Sequence, residues 1–262
     1  IIIDSSQTSQ FLSGLLMGLP LLKRDGKLNA VNLKSMPYVD MTIDTLQKFG
    51  LGIGIDQGHV FTINGNMKYK PTSYSVEGDW SAASYWCIAA ALGHEIKIEG
   101  LNIQSLQADR RLIDLFTDNI YHKKGTLTLS KCPLISFDFD ATNCPDLFPA
   151  LVSYAVFCQG VSRIKGVHRL FNKESNRLQT LLSEFTKIGA ELSVEEDTLF
   201  IRKGELYSSS VHAHGDHRIA MCLAIVGMQL KKGITISNAD AVDKSYPDFW
   251  SDLAKLTIKK GA

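Results

Sequence analysis

Phe185-Thr186-Lys187-Ile188-Gly189 ends a stretch in which Leu178, Leu181, Leu182, Phe185 and Ile188 recur at helical spacing. Apolar residues at i, i+3, i+4 and i+7 mark an amphipathic helix, and Gly189 fits a left-handed C-cap. Strands over 191–194 and 199–202 follow, with Glu196-Asp197 as the hairpin turn between them. Leu46-Gln47-Lys48-Phe49-Gly50 opens the same arrangement earlier in the chain. It has strands over 52–55 and 60–63 and a turn at Gln57-Gly58. Two copies of helix, glycine and hairpin point to an internal repeat.

Working outward, two kinds of helix alternate with short strands. The segments 10–19, 82–92, 147–158 and 219–228 are apolar nearly all round, so they are expected to be buried on every side. The segments 38–49, 110–116, 178–188 and 249–258 carry one apolar stripe. Further strands are read at 30–33, 95–98, 127–129, 135–139 and 234–236, rich in Val, Ile and Phe. The repeating unit is therefore buried helix, strand, amphipathic helix, hairpin, strand, present about three and a half times with a degenerate copy around 108–129. A repeated α+β fold follows.

The chain has 262 residues, 45% of them hydrophobic and 21% charged, with a net charge of +1. That balance fits a globular protein and argues against a nucleic-acid or membrane surface. The longest wholly apolar run, 219–226, is far short of the roughly 20 residues a membrane span needs. The five cysteines form no CxxC pair and read as buried, reduced thiols of a cytoplasmic protein. Ile1-Ile2-Ile3-Asp4 reads as a strand entered midway, without a secretory leader, so a longer parent protein is expected.

Each buried helix opens on polar residues: Thr8-Ser9-Gln10, Gly78-Asp79-Trp80-Ser81, Cys144-Pro145-Asp146 and Gly215-Asp216-His217-Arg218. Ordinary N-capping explains Asp79 and Ser81, whereas Ser9 and its neighbours offer more hydroxyls than one cap uses. Helix starts also attract anions, and parallel helices would gather theirs into one electropositive face. Arg218 opposes the dipole of its own helix, a placement that an anion nearby would relieve; the alternative is a salt bridge to a neighbouring carboxylate. Lys173-Glu174-Ser175-Asn176-Arg177 opens the amphipathic helix, and Glu174 with Arg177 could be a surface i, i+3 ion pair. His212-Ala213-His214-Gly215-Asp216-His217 matches the two-metal His-x-His-x-Asp-His pattern of metallo-β-lactamase-like hydrolases. No histidine follows His217, so the remaining ligands of that fold are missing and no metal site is expected.

Several motifs occur in order: Ser9 to Leu12, Met36-Pro37-Tyr38-Val39-Asp40, Glu77 to Tyr85, Lys173 to Arg177, Gly215 to Met221 and Lys244 to Phe249. On them the chain resembles the EPSP synthase (3-phosphoshikimate 1-carboxyvinyltransferase) family from Ser9 almost to its end. The resemblance implies an α/β-prism-like fold of repeated βαβαββ units in two lobes, with helix N-termini facing the cleft. Here 1–77 would be an incomplete first lobe and 78–262 the second. It implies transfer of the enolpyruvyl group of phosphoenolpyruvate to the 5-hydroxyl of shikimate 3-phosphate, in aromatic amino acid biosynthesis.

By resemblance Thr8, Ser9, Gln10, Ser35, Tyr38, Asp146, Arg169 and Lys173 contact shikimate 3-phosphate. Asp146 serves as base for the hydroxyl, Glu174 shuttles the methylene proton with His217, and Arg177, Arg218 and Lys244 bind phosphoenolpyruvate. No cofactor is implied, the partners are the two small-molecule substrates, and a monomer is expected. Family sequences carry further N-terminal substrate-binding cations that this chain does not contain, so the chain alone is expected to be inactive. Asn176 stands where the family usually has Asp, and Thr8 where it has Ser. A UDP-N-acetylglucosamine enolpyruvyl transferase and a non-catalytic phosphate-binding remnant are the alternatives.

Overall fold

The computed structural model describes residues 1–56, 59–123 and 125–258. The chain divides into two compact units, one of Ile1–Glu77 with Gln104–Ala108 and one of Gly78–Ile103 with Asp109–Ala262.

The first unit runs β1 (Ile2–Asp4), α1 (Gln10–Gly18), β2 (Gly26–Val31), α2 (Met36–Lys48), β3 (Ile53–Asp56) and β4 (Val60–Ile63). Its sheet has the order β1-β2-β4-β3, with β1 and β2 parallel (Ile3 opposite Ala30) and the other pairs antiparallel. The second unit holds the remaining repeats. α3 (Trp80–Ala91), β5 (Lys97–Glu99), β6 (Ile120–Lys123) and β7 (Thr126–Leu129) form one. β8 (Asp138–Asp140), α4 (Phe148–Ala155), β9 (Val161–Lys165), α5 (Arg177–Thr186), β10 (Glu191–Glu195) and β11 (Thr198–Arg202) form the next. β12 (Ser210–His212), α6 (His217–Gly227), β13 (Thr235–Ser237) and α7 (Phe249–Ile258) close the chain.

The repeat holds down to single hydrogen bonds. The order β8-β9-β11-β10 reproduces β1-β2-β4-β3, parallel pair included. The order β5-β7-β6 is the same sheet without its first strand, and the parallel pair β12-β13 is its first half. At the helix ends Gly50 and Gly189 have φ of +83° and +85°. Each donates to the carbonyl three residues back, while Leu51 and Ala190 donate five residues back, to Leu46 and Phe185. That is a Schellman cap, which satisfies orphan carbonyls and turns the chain into the hairpin.

Helices α3, α4 and α6 are buried almost throughout and pack on one another, as apolar helices must. α5 buries Leu178, Leu181 and Phe185 and packs on β10. All five cysteines are buried and free. No helix among the described residues is long and apolar enough to cross a membrane.

Several elements differ from the sequence reading. α1 is not buried all round: Leu12 and Leu16 are, but Phe11 is 68% and Met17 47% exposed. Within its unit α1 packs one face against α2. The strand read at 30–33 stops at Val31, because Asn32 turns to φ +54° and leaves the β region. The strand read at 135–139 is regular only over Asp138–Asp140, with Ile135 making an isolated bridge to Gln159. The helix read at 110–116 is part of a 3-10 stretch, Ala108–Asn119, kinked at Phe116. β9 was not legible because one of its two inward residues is Ser162, whose hydroxyl accepts the Phe137 N–H. The Gln57-Gly58 turn lies outside the described residues.

A Cβ at Gly189 would meet the Glu205 carbonyl oxygen and lie 2.7 Å from the Tyr207 ring, in a backbone region that also strains L side chains. Gly189→Ala is expected to lower stability by about 2–4 kcal/mol in urea denaturation. At Gly100, where φ is +82° and nothing lies within 4 Å, the same change should cost about 1 kcal/mol.

Candidate active site

The second unit's site is built on the starts of its helices. At α6, His214 and Gly215 take φ of +55° and +69°, and the Gly215 N–H donates to Asn238 Oδ1. This turn delivers Asp216 to the N-cap position, where its carboxylate accepts the Arg218 N–H at 3.0 Å. At α3, Asp79 caps through the Ser81 N–H. At α5 the cap is Asn176, which accepts the Gln179 N–H. Asn and Asp are both favoured N-caps, so the Asn176 departure leaves this local job intact. Pro145, Asp146 and Leu147 form a 3-10 turn that leads into α4.

Arg177 lies at the centre, its side chain 0% exposed. Its guanidinium donates from Nε to Asp216 Oδ2 at 2.9 Å, from Nη1 to Asp146 Oδ1 at 2.8 Å and from Nη2 to Glu174 Oε2 at 2.5 Å. Nη2 also reaches Asp216 Oδ1 at 3.3 Å. Asp146 further accepts from Lys173 at 3.0 Å and Arg218 Nη2 at 3.4 Å, and Glu174 from Lys244 at 3.3 Å. Arg218 Nη1 meets the Ser81 hydroxyl. The Glu174–Arg177 pair exists, but it is not a surface pair: Arg177 is fully buried. Four cations thus interleave with three carboxylates, rather than presenting the purely positive face that the helix starts alone suggest.

Burial pushes the Asp146 carboxyl up, but Arg218, Lys173 and Arg177 outweigh it and hold it well below the usual carboxylate range. Glu174 is likewise lowered overall, by Arg177 and Lys244 against burial. His217 is buried, and burial together with Arg218 lowers its affinity for a proton; its Nδ1 has no hydrogen-bond partner. At neutral pH the site therefore presents two ionised carboxylates, Asp146 and Glu174, beside a neutral imidazole. Arg169 ends a 3-10 turn, Val167–Arg169, and is half-buried.

The residues read in the first unit form a separate group. β1 and β2 are parallel, so residues 5–10 and 32–38 leave the sheet from the same end. Thr8 Oγ1 accepts the Gln10 N–H, and Ser9 makes no side-chain cap bond although it stands at the N-cap of α1. Ser35, with φ of +56°, caps nothing with its side chain either, and Tyr38 lies in the first turn of α2.

Sequence reasoning passed over a second set of contacts. Glu184 is fully buried on α5 and accepts from Lys187 at 2.8 Å, His214 Nε2 at 2.8 Å and the His212 N–H at 2.9 Å. His212 Nδ1 accepts the His214 N–H. The histidines of the His-x-His-x-Asp-His pattern thus brace a loop. Glu184 lies seven residues after Arg177, on the same helix face, and that spacing is the signal a sequence offers.

A repeated α+β fold whose helix starts bring arginines, lysines and carboxylates into one interlocked cluster frames the second unit's site. The family described as EPSP synthase (3-phosphoshikimate 1-carboxyvinyltransferase) matches residues 1–253, and the chain belongs to that family. It is 42% identical over 257 residues to the 3-phosphoshikimate 1-carboxyvinyltransferase of Clostridium acetobutylicum, covering 95% of this chain and 59% of that protein. It is 37% identical over 265 residues to that of Methanospirillum hungatei, covering 97% and 61%. The chain therefore spans about 60% of the length of these curated relatives. Among solved structures the fold matches an EPSP synthase from Acinetobacter baumannii, with a TM-score of 0.80 at 22% identity over 97% of this chain and 62% of that one. It also matches the enolpyruvyl transferase NikO from Streptomyces tendae, with a TM-score of 0.72 at 18% identity over 97% and 63%.

Glu184 gives a pH test of the brace. Burial raises its carboxyl, but hydrogen bonds from Lys187, His214 and the His212 N–H prevail and bring it from 4.5 to about 2. A carboxyl lowered on folding contributes stability that is complete above its unfolded value and is lost as pH falls towards the folded one. Stability should fall between about pH 4.5 and 2, and Glu184→Gln should remove about 2 kcal/mol of that dependence in denaturation midpoints, after allowance for the half-exposed Lys187 and His214.

Proposed function

We propose that the protein carrying this chain transfers the enolpyruvyl group of phosphoenolpyruvate to the 5-hydroxyl of shikimate 3-phosphate. The products are 5-enolpyruvylshikimate 3-phosphate and phosphate. One observation carries the reading. Asp146 and Glu174, the two carboxylates the reaction calls for, are both bonded to Arg177 and flanked by Lys173, Arg218 and Lys244.

Protonation of the methylene carbon makes C2 of phosphoenolpyruvate electrophilic. The hydroxyl adds as its proton leaves, and the tetrahedral adduct then loses phosphate. Glu174, beside His217, supplies and later recovers the methylene proton. Asp146 takes the hydroxyl proton, and Lys173 bonds the same substrate. Arg177, Arg218 and Lys244 hold the carboxylate and phosphate of phosphoenolpyruvate, where fixed cations oppose developing charge most strongly. Thr8, Ser9, Gln10, Ser35, Tyr38 and Arg169 contact shikimate 3-phosphate.

The ion pairs also bear on how Asp146 becomes a base. A carboxylate clasped by three cations has little appetite for a proton. An anion bound against Arg177, Arg218 and Lys173 offsets their charge and so raises the proton affinity of Asp146. We place the enzyme in the cytoplasm as a monomer; five buried free thiols fit a reducing compartment.

The test is phosphate release by the whole protein with both substrates. Release that requires shikimate 3-phosphate supports the reading, and a folded protein that shows none sinks it. In that assay Asp146→Ala is expected to lower kcat by about 10²–10⁴-fold with a much smaller change in substrate affinity, because a base acts mainly in the transition state.

A further inference from the structure

Asp216 is the one carboxylate of the site whose side chain is 0% exposed, and its bonding is complete. Oδ1 accepts the Arg218 N–H at 3.0 Å and Arg177 Nη2 at 3.3 Å. Oδ2 accepts Arg177 Nε at 2.9 Å and the Ser175 hydroxyl at 3.1 Å. A carboxylate offers about four lone-pair sites, so Asp216 has none left for a substrate. An N-cap needs only one of them.

Of the other three, two act on Arg177 and the third holds the Ser175 hydroxyl. Two parallel N–H bonds to one carboxylate fix the plane of a guanidinium as well as its position. With Nε and one Nη2 hydrogen held by Asp216, the second Nη2 hydrogen meets Glu174 and one Nη1 hydrogen meets Asp146. Arg has five N–H donors, so a single Nη1 hydrogen remains for an incoming anion, and its direction is set by the Asp216 fork. The same carboxylate caps the helix that carries Arg218. One side chain thereby fixes the relative placement of the two arginines assigned to phosphoenolpyruvate and of the two carboxylates assigned to proton transfer.

We propose that Asp216 is a positioning residue: it touches no substrate but aims Arg177 between Asp146 and Glu174 and ties it to the Arg218 helix. This rests on the enolpyruvyl-transfer reading above. Asn would serve as cap equally well, yet its amide nitrogen faces the arginine N–H groups and its charge is gone. A pure capping role and a positioning role therefore predict different behaviour for Asp216→Asn.

The experiment is calorimetric binding of phosphoenolpyruvate and of shikimate 3-phosphate, each alone, to the whole protein and its variants, with melting curves alongside. Asp216→Asn is expected to weaken phosphoenolpyruvate binding about 10- to 100-fold while shikimate 3-phosphate binding stays within about threefold. A folded variant that binds phosphoenolpyruvate like the parent, or loses both ligands equally, overturns the proposal. If Asp216→Asn does not fold, Asp216→Glu carries the test, since it keeps the charge but displaces it by one methylene. A selective loss of about tenfold or more for phosphoenolpyruvate is expected there too, and unchanged binding refutes the role. A parent protein that binds no phosphoenolpyruvate fails the enolpyruvyl-transfer reading itself. A parent that binds it beside an unaffected variant fails only Asp216.

Discussion

The second unit's site is organised around one buried guanidinium. A charge as deep as that of Arg177 is tolerable only with partners, because the cost of removing it from water must be met by close opposite charge and by hydrogen bonds to its donors. Asp216, Asp146 and Glu174 meet both conditions. Breaking such a set by removing one partner typically costs about 3–5 kcal/mol, so the arrangement is rigid as well as charged. Rigidity matters for transfer chemistry, where cations that need not reorganise stabilise developing negative charge most effectively.

The cluster exists because the repeat puts helix starts together. In the second unit the first turns of α3, α4 and α6 converge so that Arg218 reaches both Ser81 and the turn holding Asp146. α5 is the odd helix, amphipathic rather than buried all round. It joins the site through its first residue and then grips the loop before α6 twice, Arg177 holding Asp216 and Glu184 holding His212 and His214. Two anchors seven residues apart on one helix face fix both the position and the direction of that loop. They act where the loop is least comfortable, at His214, a non-glycine residue in the left-handed region.

The local charge balance also separates two of the site's three carboxylates from ordinary surface acids. Asp146 and Glu174 stay ionised despite burial because cations outnumber them locally, although the chain as a whole is nearly neutral, at +1. His217, beside the same arginines, is pushed towards its neutral form. Acid and base roles on neighbouring groups depend on such opposed environments.

Much of this was legible in the residues. Periodicity marked the buried and amphipathic helices, and the glycine after each amphipathic helix marked the hairpin, because a left-handed C-cap admits little else. The repeat followed, and with it the fold class. Local chemistry also flagged Asp146, Glu174, Arg177 and Arg218 as charges at helix starts. What the chain order could not carry were relations between segments far apart. Nothing in the sequence near Arg177 says that its partner is Asp216 rather than Glu174 alone, that Glu184 bonds a loop 28 residues on, or that α1 leaves Phe11 exposed while α3 exposes almost nothing. β9 stayed hidden because an inward Ser162 breaks the apolar alternation that strand reading depends on. The sequence by itself determined the repeat, most of its helices and hairpins and which residues bear charge, since propensity and periodicity act over a few residues. Only the tertiary structure decided which charges meet, because a guanidinium is paired by whatever the packed helices bring within about 3 Å of it.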